Sequence, residues 1–175
     1  DYGDYFFWSS RQEYRRNFEA IESAYRAVGF LLLRNESLYI QKNGSSIGLA
    51  GVENWGLPPF HQYGDLPAAL SGLDGSGFNI LLSHDPSHWR AQVIGYSNIQ
   101  LTLSGHTHGM QVGIYTPWFR WSPSKLKYPE WGGLYRQSGR YLYVNKGLGY
   151  IGFPGRIGIR PEITVLTLKK EEASK

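Results

Sequence analysis

The chain has 175 residues, of which 41% are apolar and 15% aromatic, and it contains no cysteine. This composition predicts one folded domain with a sizeable core, and it excludes a disordered chain and a disulfide-stabilised scaffold. The net charge of +4 is unevenly distributed. Residues 1–88 hold 6 basic and 10 acidic side chains, whereas residues 89–175 hold 12 and 4, so we expect one lobe to face an anionic partner.

The start of the chain indicates a piece of a longer protein. The single methionine is Met110 and the first residue is Asp1, so we expect a processed or excised chain. No apolar run is long enough to span a membrane, and the acidic, aromatic start does not resemble a signal peptide. If the whole protein is membrane-anchored, we expect its anchor to lie outside this chain. We treat residues 1–175 as a single partial domain and expect the polar tail, 169–175, to fray.

The first half predicts one long helix and three short strands. Ser10 and Glu13 form a capping-box pattern, and an apolar residue then recurs every three or four positions until Gly29, which predicts a helix of about 17 residues. Asn43-Gly44 is a strong hairpin signal. The predicted strands are Phe30–Leu33, Ser37–Gln41 and Ser46–Val52. A short helix is predicted after them, over Asp65–Leu73.

A strand–helix–strand unit follows. The apolar run Phe78–Leu82 predicts a strand buried on both faces, Ser87–Ile94 a short helix, and Ile99–Leu103 a second buried strand. A crossover of this length makes the two strands parallel neighbours. Their carboxyl ends then share one edge of the sheet, where open α/β sheets place their ligands.

Three histidines follow the ends of these strands and form a candidate metal site. His84 follows the first strand, and His106 and His108 follow the second, two residues apart, so that in an extended chain both side chains point the same way. The flanking Gly105 and Gly109 permit unusual dihedral angles. Neutral imidazole is a common ligand for Zn, Fe and Mn. Two further histidines, His61 and His88, lack this geometry, and we interpret them as structural.

These blocks resemble a known family. Residues 81–86 (LLSHDP) and 103–111 (LSGHTHGMQ) are similar to the two carboxyl-terminal signature blocks of the calcineurin-like metallophosphoesterases. Residues 144–149 (VNKGLG) and 160–168 (RPEITVLTL) resemble the membrane-associated bacterial branch of that family. The resemblance covers nearly the whole chain from Ser46 onward.

The resemblance implies the carboxyl-terminal part of an α/β fold, a four-layer α-β-β-α sandwich that holds two divalent or trivalent metal ions (Mn, Fe or Zn). His84 and His106 would bind one metal and His108 the other. The family's Asp-x-His and Gly-Asp-x-x-Asp blocks are absent here, and Asp1 resembles the last residue of its Gly-Asn-His-Asp block. The catalytic acid histidine would then precede Asp1, which leaves the catalytic residues of this chain unknown.

The function that follows is metal-dependent hydrolysis of a phosphomonoester or phosphodiester by the whole protein, through a hydroxide activated by two metals. We expect this chain alone to be inactive, because it lacks the family's carboxylate ligands, and to hold metal at most partially. We also expect a homo-oligomer, or association with the missing amino-terminal part, because half a sandwich exposes strand edges and apolar faces.

The segment 115–135 combines seven aromatic residues with Arg120, Lys125 and Lys127. This composition suits a membrane interface, a sugar or nucleotide ring, or single-stranded nucleic acid. A loop that buries its own aromatic side chains is an equal alternative. Among the functional interpretations we favour a lipid- or glycan-linked phosphoester at a bacterial inner-membrane surface, and nothing here indicates nucleic acid firmly. The alternative from another class is a noncatalytic binding module that uses this segment.

Overall fold

A computed structural model describes residues 9–75, 77–96 and 98–169. Its centre is a six-stranded sheet with the order β1-β2-β3-β4-β8-β7, and a two-stranded ribbon, β5-β6, projects from it. Strands β2, β3, β4 and β8 are parallel, and β1 and β7 pair antiparallel at the two edges. The strands are β1 Glu36–Lys42, β2 Ser45–Gly51, β3 Phe78–Leu82, β4 Leu101–Ser104, β5 Ile114–Tyr115, β6 Arg120–Trp121, β7 Gly133–Gln137 and β8 Arg140–Val144. The mixed α/β class is therefore as predicted. Residues 170–175 of the expected frayed tail lie outside the described residues.

Three α-helices accompany the sheet: α1 Arg11–Ala27, α2 Leu66–Leu70 and α3 Ser87–Ala91. The predicted long helix is confirmed, with Ser10 as its N-cap accepting a hydrogen bond from the backbone of Glu13. No residue of α1 is fully buried. Arg34 fastens this helix to the sheet, because its guanidinium bonds Glu22 on the helix and Glu53 after β2. The same guanidinium lies over the ring of Phe18, so Arg34 joins the helix to the sheet through both charge and an aromatic contact.

Several predicted boundaries shift, and one predicted strand is absent. Phe30–Leu33 forms no ladder, and a left-handed residue, Asn35 (φ 59°), then turns the chain into β1. The helix expected over Asp65–Leu73 spans only Leu66–Leu70, and the helix expected over Ser87–Ile94 is α3 followed by a separate 3-10 turn. The hairpin at Asn43 and the parallel pairing of β3 with β4 are confirmed.

The two faces of the sheet differ in burial. Side chains of one face pack beneath α2 and α3 and form the main core with Ala50, Leu81, Leu142, Val144, Leu66, Leu70 and Trp89. On the opposite face the described residues leave Phe78 and Leu82 partly open, at 37% and 39% exposed. The expectation that Phe78–Leu82 is buried on both faces is therefore wrong for this chain. An apolar run predicts a strand but does not show that both of its faces are covered.

A second, smaller core lies under the segment that follows β4. Tyr128, Trp131 and Ile159 are buried there, with Leu57 and Tyr115 packed against them. This cluster holds the loops at the carboxyl edge of the sheet in place. No helix in the described part of the chain is long and apolar enough to cross a bilayer.

Candidate metal centre

The three candidate histidines lie at the carboxyl edge of the sheet. His84 follows β3 and His106 and His108 follow β4, and the ends of these strands are neighbours through the pair Leu82 and Leu103. The backbone of Gly105 donates a 2.9 Å hydrogen bond to the carbonyl of His84, which ties the two loops together. The rings of His84 and His106 are then 5.4 Å apart, nearly perpendicular. Parallel pairing thus brings together residues that are 22 positions apart in sequence, as predicted.

The backbone around the histidines is not extended, contrary to the expectation for this pair. His106 and His108 both have positive φ, 66° and 48°, and Met110 and Gln111 continue this pattern. Left-handed conformations are unfavourable for residues with a Cβ, and they cluster at functional sites where the surrounding structure holds them. Here Thr107 provides part of that hold, because its side chain donates a 2.7 Å hydrogen bond to the carbonyl of Trp131.

His106 is oriented by a tyrosine and a buried carboxylate. Its Nε2 lies 2.8 Å from the hydroxyl of Tyr128 and 3.7 Å from Asp85 Oδ2, and the Tyr128 hydroxyl donates to the same carboxylate oxygen at 3.4 Å. Asp85 is fully buried, and its other oxygen accepts hydrogen bonds from the backbone and hydroxyl of Ser87. If Tyr128 donates to Asp85, it accepts from His106, so the proton of the neutral imidazole sits on Nε2. Nδ1 then carries the lone pair that can bind a metal.

The electrostatics keep these imidazoles neutral. Burial lowers the pKa of His84 to about 3. Burial also lowers the pKa of His106, against the opposing effect of the Asp85 carboxylate. For His108 the pKa is lowered first by burial and then by the positive charge of Arg156. Metal ligation requires the neutral form of imidazole, so all three side chains are in the ligating protonation state near neutral pH.

The donor chemistry fits a metal, but the described residues do not complete a coordination shell. Among the described residues, none is a hydrogen-bond partner of the buried His108 Nδ1, and a metal ion is one ligand that such an atom can take. Yet among residues 9–75, 77–96 and 98–169, no three His, Cys, Asp or Glu side chains are arranged to hold an ion. The three histidines therefore remain a prediction of part of a metal site. The described residues supply imidazole ligands for it but no suitably placed carboxylate ligands.

The other two histidines occupy positions that suit a structural role. His88 is completely buried beneath the sheet, where its Nδ1 lies 2.8 Å from the Ser83 hydroxyl and its Nε2 lies 2.9 Å from Gln92 Oε1. Trp55 stacks on its ring at 4.9 Å between centroids. His61 is exposed in the loop after β2 and stacks on Tyr63.

Two side chains near the site were missed by sequence reasoning. Tyr128 lies 22 residues beyond His106, and no local pattern links them. Arg156 lies beside His108 and binds the carbonyls of Lys146, Gly147 and Gly149. A third feature is a mainly apolar cleft of about 800 Å³ that runs from α1 to His84.

The chain is similar in sequence to several curated proteins. It is 36% identical over 85% of its length to the uncharacterized metallophosphoesterase YkuE of Bacillus subtilis, and covers 50% of that protein. It is 32% identical over 93% of its length to an uncharacterized metallophosphoesterase of Helicobacter pylori, covering 42% of it. A transmembrane protein with metallophosphoesterase domain from Danio rerio is 31% identical over 96% of this chain, which covers 39% of the relative.

The chain thus spans about half the length, or less, of these relatives. No family model matches it, and no solved structure matches it significantly. The shared metallophosphoesterase name of the relatives agrees with the signature blocks at His84 and His106 and with the neutral imidazoles gathered at the carboxyl edge of the sheet. On this similarity, which covers most of its length, the chain belongs to the metallophosphoesterase family.

Proposed function

We propose that the whole protein hydrolyses a phosphomonoester or phosphodiester with the help of two metal ions, and that this chain contributes the imidazole ligands. The observation that carries the proposal is the gathering of His84, His106 and His108, all neutral, at one edge of the sheet. Membership of the family itself implies dependence on divalent metal. Mn, Fe and Zn are the metals we consider, because imidazole with carboxylate suits each of them.

Each histidine has a separate part in this proposal. His84 and His106 would hold one ion, His106 through Nδ1 because its Nε2 is bonded to Tyr128. His108 would hold the second ion through Nδ1, for which the described residues offer no hydrogen-bond partner. When bound, two metals in such a site would polarise the phosphate and lower the pKa of water. The chain's own work is to keep the imidazoles neutral and oriented until the ions bind.

We propose that the carboxylate ligands of this centre come from residues outside those that the structure describes. Asp85 cannot serve, because it is buried and engaged with Ser87 and Tyr128. The half-open sheet face at Phe78 and Leu82 is a surface that a second sheet can cover. We propose that the rest of the protein, or a second copy of the chain in a homo-oligomer, packs on this face. The rest of the protein would bring the missing carboxylates to the histidines.

Hydrolysis of bis-p-nitrophenyl phosphate with added Mn²⁺ tests this proposal. We expect the 175-residue chain to be nearly inactive, the whole protein to be active, and His106→Ala to abolish that activity. His61→Ala is the matched control, because His61 is an exposed histidine that stacks on Tyr63 and is not a candidate ligand, and it should leave the rate unchanged. Full metal-dependent turnover by the isolated chain, or an unaffected His106→Ala variant of the whole protein, would refute the proposal.

A lipid- or glycan-linked phosphoester is the substrate class that we propose. The mainly apolar cleft that ends at His84 is large enough for the organic part of such a substrate. Relatives named as transmembrane proteins with a metallophosphoesterase domain support a membrane-associated whole protein. A comparison of turnover on lipid-linked and water-soluble phosphoesters tests this choice. Equal turnover on both would count against it.

A noncatalytic binding module is the second candidate, and the exposed Trp118 is the observation that favours it. A pure binding module would keep its function in the His106→Ala variant and in the presence of a chelator. Loss of function under either condition decides for the enzyme.

A further inference from the structure

Two loops beside the candidate metal centre carry a set of exposed apolar side chains that hydrolysis does not explain. One loop follows β4 and contains the β5-β6 ribbon, and the other, 145–159, follows β8. Because β4 and β8 are adjacent and parallel, both loops leave the same edge of the sheet. This is also the edge that bears His108.

The two loops are fastened to each other. The side chain of Gln111 donates hydrogen bonds to the carbonyls of Phe153 and Gly155. A backbone bridge joins Val112 to Ile157, and the Arg156 guanidinium binds the carbonyls at the start of the second loop. The two loops are therefore joined to each other through Gln111 and Val112.

Apolar side chains on this surface face solvent. Trp118 is 92% exposed at the turn of the ribbon, and Ile151 is 71% exposed on the second loop. Single exposed apolar residues are ordinary, whereas a contiguous group marks an interaction site. We call the following six exposed side chains the apolar rim: Trp118, Phe119, Leu148, Tyr150, Ile151 and Phe153.

The structure also separates exposed from buried aromatic residues within 115–135. Tyr128 and Trp131 belong to the second core, so the interpretation of a loop that buries its own aromatic side chains holds for part of this segment. Lys127 is exposed but engaged, because its Nζ donates to the Pro58 carbonyl and lies over the ring of Phe60. Lys125 is also exposed.

The stretch of sequence that carries the rim is rich in cations. Between residues 110 and 160 it has eight Lys or Arg and one acidic residue, Glu130. Of these cations, Arg136 and Arg140 flank the turn at the other end of β8, and the buried Lys146 pairs with Glu162. Glu130 is neutralised by Arg90. Exposed cations such as Lys125 and Arg160 therefore flank the rim without a compensating acidic patch in that stretch.

We propose that the apolar rim and its flanking cations dock this protein on an anionic lipid surface, with the rim inserted among the acyl chains. Amphipathic aromatic residues next to cations suit the headgroup boundary. A second copy of the chain fits less well, because it would bring the same positive charge to the contact. Single-stranded nucleic acid also fits less well, since Leu148 and Ile151 offer no ring on which a base can stack.

Vesicle flotation with the 175-residue chain tests this proposal, and it requires neither metal nor turnover. We expect binding to vesicles of phosphatidylcholine and phosphatidylglycerol in equal parts, and much weaker binding to vesicles of phosphatidylcholine alone. The double variant Trp118→Ser/Phe119→Ser should lose more than about tenfold in affinity, because two large apolar side chains no longer leave water. Lys125→Glu should weaken binding most at low salt.

Ile40→Ser is the matched control, because Ile40 is an apolar side chain, 49% exposed, on the edge strand β1 and is not part of the rim. It should bind vesicles as the unaltered chain does. The proposal is overturned if the unaltered chain does not float with anionic vesicles, or if the double variant and Ile40→Ser bind equally. It is also overturned if the double variant dissociates a dimer in sedimentation while vesicles do not bind. Binding of a single-stranded oligonucleotide without binding to vesicles would overturn the proposal as well.

Discussion

His88→Gln should make the stability of the chain less sensitive to acid. His88 is completely buried and is neutral in the folded state, where its two ring nitrogens are bonded to Ser83 and Gln92. Burial lowers its pKa below the ordinary value near 6.5. Its neutral form therefore stabilises the fold fully above that ordinary value, and the contribution is lost as the pH falls below it, since the unfolded chain then takes up the proton.

The size of the effect follows from proton linkage. Each buried imidazole that stays neutral while its unfolded counterpart is protonated adds a slope of at most about 1.4 kcal/mol per pH unit to the free energy of unfolding. A glutamine in place of His88 would not titrate but could bond the same neighbours. The variant should therefore lose about 1–3 kcal/mol at neutral pH through altered packing and hydrogen bonding, and show a shallower slope in acid.

Urea unfolding between about pH 7.5 and 4.5, a range that spans the ordinary imidazole pKa, is the assay. The slope rather than the absolute stability is the diagnostic quantity. His84, His106 and His108 also have lowered pKa values, so the variant should keep part of the acid sensitivity. Equal slopes for the variant and the unaltered chain would show that His88 is not held neutral by burial, and would refute the reasoning.

Two further predictions concern the loops of the site. Tyr128→Phe removes the hydroxyl that lies 2.8 Å from His106 Nε2. The free energy of unfolding should fall by about 1–3 kcal/mol. The metal affinity of the whole protein, measured by calorimetry, should fall about 10- to 100-fold. Unchanged affinity would mean that the tyrosine does not orient the ligand. Gly158→Ala should cost about 2–5 kcal/mol, because Gly158 has φ 73° and a Cβ there would overlap the carbonyl of Gly113. Gly152→Ala, with φ 70° and open space around the Cβ, should cost only about 1–2 kcal/mol in thermal unfolding. A similar cost for both would contradict the close approach.

Local signals predicted most of the elements that position the site. The capping pattern at Ser10 and the turn at Asn43 depend on neighbouring residues alone, and the structure has both. The prediction failed at Phe30–Leu33, where four apolar residues looked like a strand. A strand needs a partner for its backbone groups, and whether an edge is available there depends on the rest of the fold.

The sequence by itself determined that His84 and His106 meet, because a strand–helix–strand crossover makes β3 and β4 parallel neighbours whose ends share an edge. Only the tertiary structure decided how these imidazoles are used. It placed Tyr128 on His106 Nε2, gave His108 a left-handed backbone, and joined two loops into the apolar rim. These outcomes arise from contacts between residues far apart in the chain, and no periodic pattern or local motif in the sequence predicts such contacts.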